Sequence, residues 1–479
     1  MGNRNRPSPR TPSRTVSKLG CNRPAIAHGY GLHNQAIPIA EGAPTSTKHR
    51  VCTISWGRAM KPRRNQPKPS ELSDVATIEI VAQILKIPVA TIANLEKRGL
   101  INHTQDADGN RLYSVSAIRM TLNPNKHQKP VVPRSKMGKL SVVELFCGAG
   151  GLALGMHNAG LNTVFATDWD KDCIKTIQQN EIGWNASQAD VAELDLGHLA
   201  GKVDVLTGGF PCQAFSYAGN RLGFGDTRGT LFFEYARLVR QLRPKLILAE
   251  NVKGLLNHDE GRTLKTMLSE LRALGYNVAY RVLRSQFLDV PQKRERLIIV
   301  GLRSNLGNKI FFPREKPFAT TLRSALHDVP KSEGATYPAE KARVMAMVPE
   351  GGNWRDLPVA EQKKYMKGSY ALGGGKTGLA RRLSLDEPSL TLTTAPAQNQ
   401  TERCHPTETR PLTVREYARI QTFPDSWYFA GSVASQYRQI GNAVPVNLAF
   451  HIGIAIRNTL GERPMGASAE TLLELVLGE

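Results

Sequence analysis

The sequence holds no apolar run approaching the length of a membrane span, and no membrane partner is expected. Its basic N-terminus is followed by no apolar segment, which argues against a secretory signal. The cysteines are scattered: Cys21, Cys52, Cys147, Cys173, Cys212 and Cys404. None makes a C-x-x-C pair or a close Cys/His cluster. Neither a disulfide framework nor a metal site is therefore indicated, and a reducing, cytoplasmic compartment is expected. The first 140 residues are short of acid, with 23 Lys/Arg against 7 Asp/Glu. That imbalance favours a polyanionic partner, most simply nucleic acid, over a merely solvated tail.

Residues 1–70 are rich in Arg, Pro, Asn and Ser without a sustained period, and read as a disordered basic arm. Met60 is an alternative start within it. A different pattern opens at Thr77. Ile78, Val81, Ala82 and Leu85 fall at helical spacing, Lys86-Ile87-Pro88 breaks the helix, and Val89, Ile92 and Leu95 line a second helix that Gly99 stops. Asp106-Ala107-Asp108-Gly109-Asn110 then turns the chain between short extended pieces ending at Leu112-Tyr113. Helix, turn, helix and wing over residues 71–122 make a winged helix-turn-helix. From Thr91-Ile92 through Leu95-Glu96-Lys97-Arg98-Gly99-Leu100 to Tyr113 it resembles the DNA-binding module of the MerR regulators. The resemblance implies that the second helix enters the major groove. A small helical module for protein contacts or dimerisation is the competing reading. Residues 123–139 form a basic, proline-containing linker.

Leu140 begins an α/β alternation, expected to be the catalytic domain over residues 140–303. Ser141 to Phe146 reads as a strand, and Cys147-Gly148-Ala149-Gly150-Gly151 as a glycine loop opening a helix. A second strand, Thr163 to Thr167, ends at Asp168-Trp169-Asp170. A glycine turn with an acid about twenty residues on is the nucleoside-binding geometry of doubly wound sheets. The glycines let a ligand approach the backbone, and Asp168 would accept from ribose hydroxyls. Asp190-Val191, past a further helix, fits an adenine contact. Val203 to Leu206 is a short buried strand leading into Gly208-Gly209-Phe210-Pro211-Cys212, which presents one thiol at a strand end. A thiol is the best side-chain nucleophile near neutral pH; a tight turn holding a small buried residue would look the same. Leu246 to Ala249 brings Glu250-Asn251-Val252 to the same edge, and Gln292-Lys293-Arg294-Glu295-Arg296 runs into a strand at Leu297 to Gly301. From residue 304 to about 402 the regular alternation lapses. The span 304–430 is assigned to a second domain, residues 431–462 return to the first with a helix at Asn447 to Arg457, and 463–479 is a tail.

In their order these motifs resemble those of the bacterial DNA (cytosine-5)-methyltransferases. They are Phe146-x-Gly148-x-Gly150, Pro211-Cys212-Gln213, Arg228-Gly229-Thr230-Leu231-Phe232, Glu250-Asn251-Val252, Gln292-x-Arg294-x-Arg296, Thr413-x-Arg415-Glu416 and Gly441-Asn442-Ala443-Val444-Pro445. The resemblance implies an α/β, Rossmann-like fold binding S-adenosyl-L-methionine as methyl donor, a smaller irregular target-recognition domain, double-stranded DNA as partner, and no metal. Cofactor contacts are implied at Phe146, Gly148, Gly150, Gly151, Asp168, Trp169, Asp190, Val191, Pro211, Asn442, Ala443 and Val444. The family's ribose acid is usually glutamate, so Asp168 is one methylene short.

The chemistry explains the rest. Cytosine C5 is too weak a nucleophile to take a methyl group until a nucleophile adds at C6, and Cys212 as a thiolate is the candidate. Glu250 would donate to N3, which requires a carboxyl held protonated by desolvation and substrate contact, with Asn251 fixing the loop. Arg294 and Arg296 alternate on an extended segment; one would hold the base O2 or its phosphate and the other would orient Glu250, Arg294 being the more direct contact. The base must be flipped out, and the family does so with a loop here spanning Ser216 to Thr230. Gln213, Ser216, Arg221 and Arg228 are its DNA candidates, and Arg381, Arg382, Gln398, Gln400 and Arg403 are candidates for reading base edges.

Adenine-N6 and cytosine-N4 methyltransferases carry a Pro-Pro-Tyr/Phe motif, and this chain has no Pro-Pro. A tRNA cytosine methyltransferase of the same family is opposed by the winged helix and the long variable region. A DNA-binding regulator retaining an inactive methyltransferase domain is opposed by the intact set Cys212, Glu250, Arg294 and Arg296. Modification within a restriction-modification system, with a cognate endonuclease, and repression by the N-terminal module of its own or the nuclease's promoter complete the expectation.

Overall fold

The computed structural model describes residues 74–123, 133–211, 231–372, 378–398, 400–464, 467–468 and 471–477. The expected basic arm, most of the linker, Cys212 and the Ser216 to Thr230 loop lie outside them.

The N-terminal module runs β1 (Val75–Ala76), α1 (Ile78–Leu85), α2 (Val89–Lys97), β2 (Thr104–Gln105), β3 (Arg111–Ser114) and α3 (Val115–Leu122). Lys86 turns α1 off in the left-handed region, and Pro88 starts α2 from an extended conformation. Val81, Ile92, Leu95, Tyr113 and Ile118 form its small core. The sequence shows the first two helices; α3 is additional, started by Ser114, whose hydroxyl accepts from Ala117 N at 3.0 Å. The module is electrically balanced, with five Lys/Arg and five Asp/Glu over residues 74–122. The N-terminal charge excess therefore belongs to the segments flanking it.

The large sheet comprises β4 (Ser141–Leu145), β5 (Asn162–Asp168), β6 (Ala186–Gln188), β7 (Val205–Gly208), β8 (Leu246–Val252), β9 (Tyr276–Arg284) and, after the short β10 (Gln292–Lys293), β11 (Glu295–Arg303). Their order is β6-β5-β4-β7-β8-β11-β9. The first five are parallel, and β11 runs antiparallel to both β8 and β9. Near-continuous apolar strands follow from coverage on both faces. Val142 joins Met156, Leu448 and Ile452 on one face, while Val143 and Leu145 join Tyr235, Leu238 and Met267 on the other. The covering helices are α4 (Gly151–Asn158) and, on the opposite face, α6 (Leu231–Leu242) and α7 (Arg262–Ala273); α5 (Lys171–Gln179) links β5 to β6. The Tyr235 hydroxyl, fully buried, lies 3.0 Å from Leu248 O and 3.3 Å from Leu206 O and so bridges two strands. From β4 the chain winds one way to β6 and then returns to β7 on the other side of β4. A crevice opens at that switch, outside the carboxyl ends of the strands.

Residues 309–413 carry β12 (Lys309–Pro313), α8 (Leu322–Leu326), α9 (Ala339–Ala346), α10 (Val359–Met366) and β13 (Ser389–Leu390). Val344, Met345, Val348, Trp354, Met366 and Cys404 give part of this region its own core. The chain then returns through α11 (Val414–Ile420), α12 (Val433–Asn442) and α13 (Val446–Thr459), and ends on β14 (Leu472–Val476), paired with β12. Contrary to the sequence expectation, the stretch Val433–Thr459, α12 and α13 taken together, is long and apolar enough to cross a membrane, but an 18-residue window of it is 89% buried, so core packing accounts for its composition.

Candidate active site

The loop after β4 forms the floor of the crevice. Phe146, Gly148 and Gly150 all have positive φ, at 57°, 52° and 80°. The glycines differ in what they face. Among the described residues a side chain at Gly148 would meet nothing within 4 Å, whereas one at Gly150 would stand 3.3 Å from Trp427 and one at Gly151 would collide with Val444 O. Gly148 thus leaves room for a ligand, and Gly151 serves the packing of α4 against the segment before α13. Asp168, at the end of β5, accepts from Gly148 N at 2.8 Å and from Asp170 N at 2.9 Å. It ties the loop while keeping lone pairs for a further donor. Burial raises its carboxyl above the usual range despite these N–H donors. Trp169 beside it is 79% exposed, an uncovered flat ring. Asp190 is exposed two residues past β6, and Val191 is buried. Glu144 went unremarked in the sequence. It is buried beneath the loop with Oε2 unpartnered, and burial, reinforced by Asp168, holds its carboxyl well above the usual range. Its signal was an acid inside an otherwise apolar strand. Open backbone, an accepting carboxylate and an exposed indole suit a nucleoside such as S-adenosylmethionine.

A second group meets these residues across β7 and β8. Leu145 pairs with Gly208, and Gly208 with Ala249, so Phe146, Gly209 and Glu250 leave one edge side by side. Arg296 Nε lies 2.7 Å from Glu250 Oε1, both side chains 12% exposed. A side chain at Gly209 would stand 3.2 Å from Glu250 Oε2, so glycine keeps that side of the carboxylate clear. Asn251 behaves as expected: its Nδ2 donates to Phe210 O at 3.0 Å, fixing the turn that ends at exposed Pro211, next to Cys212. Of the two arginines, Arg296 is the one that meets Glu250, as expected of the arginine that orients it, whereas Arg294, expected as the more direct base contact, is buried away from the crevice. Arg294 is 2% exposed, and its guanidinium donates to Ala443 O at 3.1 Å and Leu392 O at 3.5 Å. Burial, with Arg296 adding to it, pushes its pKa down to about 9. Arg296 therefore faces the crevice with Glu250, and Arg294 braces the wall behind. Gln292 and Gln421 extend that wall through an amide contact of 2.9 Å, and Gln421 Nε2 donates to Ala443 O at 3.1 Å. Ala443 and Val444 are buried and Asn442 is exposed.

The proposed base readers divide. Arg382 is 5% exposed, and it donates to Val348 O and Met345 O at 2.7 Å, Glu408 O at 2.8 Å and His405 O at 3.1 Å. Arg403 is 4% exposed and donates to Glu402 O at 2.7 Å and Thr391 O at 2.6 Å. Their donors are spent on backbone carbonyls, so both staple loops together instead of facing DNA. Arg381 is half-buried, and Gln398 and Gln400 are exposed. Gln213, Ser216, Arg221 and Arg228 lie outside the described residues.

Residues 140–458 match the model of the C-5 cytosine-specific DNA methylase family. The chain is 50% identical over 403 residues to Type II methyltransferase M.Eco47II of Escherichia coli, covering 81% of this chain and 97% of that one. That span is longer than residues 140–479, so it reaches into the N-terminal module. It is 56% identical over 334 residues to Type II methyltransferase M.PspPI of Psychrobacter sp. (strain TA137), covering 68% and 80%. Among solved structures, a Spodoptera frugiperda DNMT2 shares the fold at 18% identity and a TM-score of 0.50, over 68% of this chain and 100% of that one.

Proposed function

The chain belongs to the C-5 cytosine-specific DNA methylases and is a DNA (cytosine-5)-methyltransferase that uses S-adenosyl-L-methionine, and on that premise we propose that Cys212, Glu250 and Arg296 act on a cytosine turned out of duplex DNA into the crevice. The Cys212 thiolate adds to C6, forming a sulfur–carbon bond and sending the C5–C6 π pair toward C5. Glu250 donates a proton to N3 as charge builds on the ring, and Arg296 holds Glu250 and presents its fork to the base. Gly148, Asp168 and Trp169, with Asp190 and Val191, hold the cofactor, which when bound supplies an electrophilic methyl group. Once C5 carries the methyl group, a water takes the C5 proton, the C5–C6 double bond re-forms as the C6–sulfur bond breaks and frees the Cys212 thiolate, and N3 returns its proton to Glu250.

The observation that carries this reading is the Glu250–Arg296 pair, 2.7 Å apart, on the strand-end edge that also bears the glycine loop and the turn into Cys212. Cys212→Ser is expected to abolish methylation, and Glu250→Gln to slow it severely. Bisulfite sequencing of a plasmid bearing the gene reads activity, base and site together; an unmethylated plasmid from an expressing strain sinks the assignment.

Two finer readings follow. The Type II names of the relatives fit a modification enzyme partnered with a restriction endonuclease, and an enzyme whose substrate is cellular DNA would act in the cytoplasm on the nucleoid. Protection of the bisulfite-mapped site against a nuclease cutting there tests it. Regulatory DNA binding by residues 71–122 rests on their helix-turn-helix order; a promoter reporter unchanged by deleting residues 1–125 removes that role.

A further inference from the structure

Outside the crevice, a polar cluster with no role so far joins the helix-turn-helix to the strand bearing Arg296. Arg98, just past α2, places Nε 2.9 Å from Glu387 Oε1, and Lys293 Nζ lies 3.2 Å from Glu387 Oε2. Burial opposes the charge on Glu387, yet Lys293 and Arg98 hold its carboxyl below the usual range. Backbone bonds align the same contact: Ala319 N donates to Leu100 O and Asn102 N to Pro317 O, each at 2.8 Å. Leu100 and Ile101 are buried there, and Arg284 Nη2 donates to Asn102 Oδ1 at 2.9 Å.

These contacts bear on both strands of the β9–β11 hairpin. Arg284 pairs in register with Glu295, the neighbour of Arg296. Lys293 closes β10, which runs parallel to β13 just beyond Glu387, and Thr391 Oγ1 donates to Lys293 O at 2.6 Å. The module thus grips the strand immediately before the residue that holds Glu250. Its Arg98 is engaged with Glu387, which places the module as a support.

We propose that the helix-turn-helix acts in cis as a brace on the base-holding strand, with Arg98 and Glu387 as positioning residues for methyl transfer. The proposal rests on the reading of Glu250 and Arg296 as the groups that hold the base. Small misplacement of a group that contacts the reacting base lowers rate more than affinity.

The test uses full-length enzyme, single-turnover methyl transfer into a duplex, and DNA affinity measured separately. Arg98→Ala is expected to lower the rate constant about two- to fivefold, the worth of one partly exposed ion pair, with DNA Kd unchanged. The burst amplitude, which counts folded enzyme, stays the same. Arg98→Lys restores most of the rate, Glu387→Gln matches Arg98→Ala, and the double variant is no slower than the slower single. Weaker DNA binding at an unchanged rate constant, lost amplitude alone, or additive losses overturn the brace. Glu250→Gln run alongside separates the two ideas. Normal turnover in that variant removes the base-holding reading, whereas an inactive Glu250→Gln beside a full-rate Arg98→Ala removes only the brace.

Discussion

Arg294 and Arg296 sit two residues apart and should fail in different ways. Arg296 contacts Glu250 at 2.7 Å in the crevice, where the side chain is 12% exposed. A hydrogen bond to a charged group is worth about 1.5–3 kcal/mol, so Arg296→Ala should lower kcat/KM about ten- to 150-fold while leaving the fold intact. Arg294 is 2% exposed and holds Ala443 O and Leu392 O. Arg294→Ala empties a packed position and strips a donor from two carbonyls, a loss of roughly 3–5 kcal/mol. Part of that is returned, because burial already opposes the guanidinium charge. A net loss of about 3 kcal/mol is expected, seen as an earlier urea midpoint. Single-turnover rates on the folded fraction and urea titrations of both variants decide the matter. If Arg294→Ala folds as well as wild type yet transfers methyl more slowly than Arg296→Ala, the assignment of the crevice arginine is wrong.

Other substitutions probe the remaining claims. Gly151→Ala drives a methyl into Val444 O and should destabilise by about 1–3 kcal/mol while weakening cofactor binding, read by calorimetry; unchanged affinity would detach the loop from that packing. Arg382→Met should lower the melting temperature but leave the bisulfite-mapped site unchanged, and a shifted site with an intact fold would make Arg382 a reader after all. Burial works to raise the pKa of Asp289, but His451 and Lys316 depress it to about 2. That carboxylate stabilises the fold at pH values above its unfolded pKa, and the contribution is lost as pH falls through the folded one. The urea stability margin of wild type over Asp289→Asn, about 2 kcal/mol, should be full near pH 5 and shrink below about pH 4. A margin unchanged between about pH 5 and pH 2 would place its origin elsewhere.

The α/β order and the strand-end residues were legible because they are local: apolar runs of strand length, each followed by glycine or an acid. The glycine loop, Asp168, Glu250 and Asn251 all stand where those runs deliver them. The misreadings share a different cause. Whether Arg294 or Arg296 faces the crevice depends on β10 pairing with β13, a strand far along the chain. Arg382 looks like a free basic side chain beside Arg381, yet its acceptors come from segments near residues 345, 348 and 408. Guanidinium groups aimed at remote carbonyls leave no periodic trace. The packing role of Gly151 was equally hidden, since the atom it avoids belongs to Val444.

The closeness of α4 and α13 also orders events in time. Side chains at Gly155 and Gly453 would collide with Ala449 and Ala159 across that contact, so the helix opening from the cofactor loop is completed by the last long helix of the chain. A ribosome adding about 5–20 residues per second needs roughly 15–60 s to travel from one to the other. Throughout that interval the nascent enzyme exposes Leu152 and Met156 to chaperones. The emerging chain is therefore catalytically silent until its final helix docks, however early its strands pair. A cell acquiring the gene would wait for whole molecules before its first cytosine is marked.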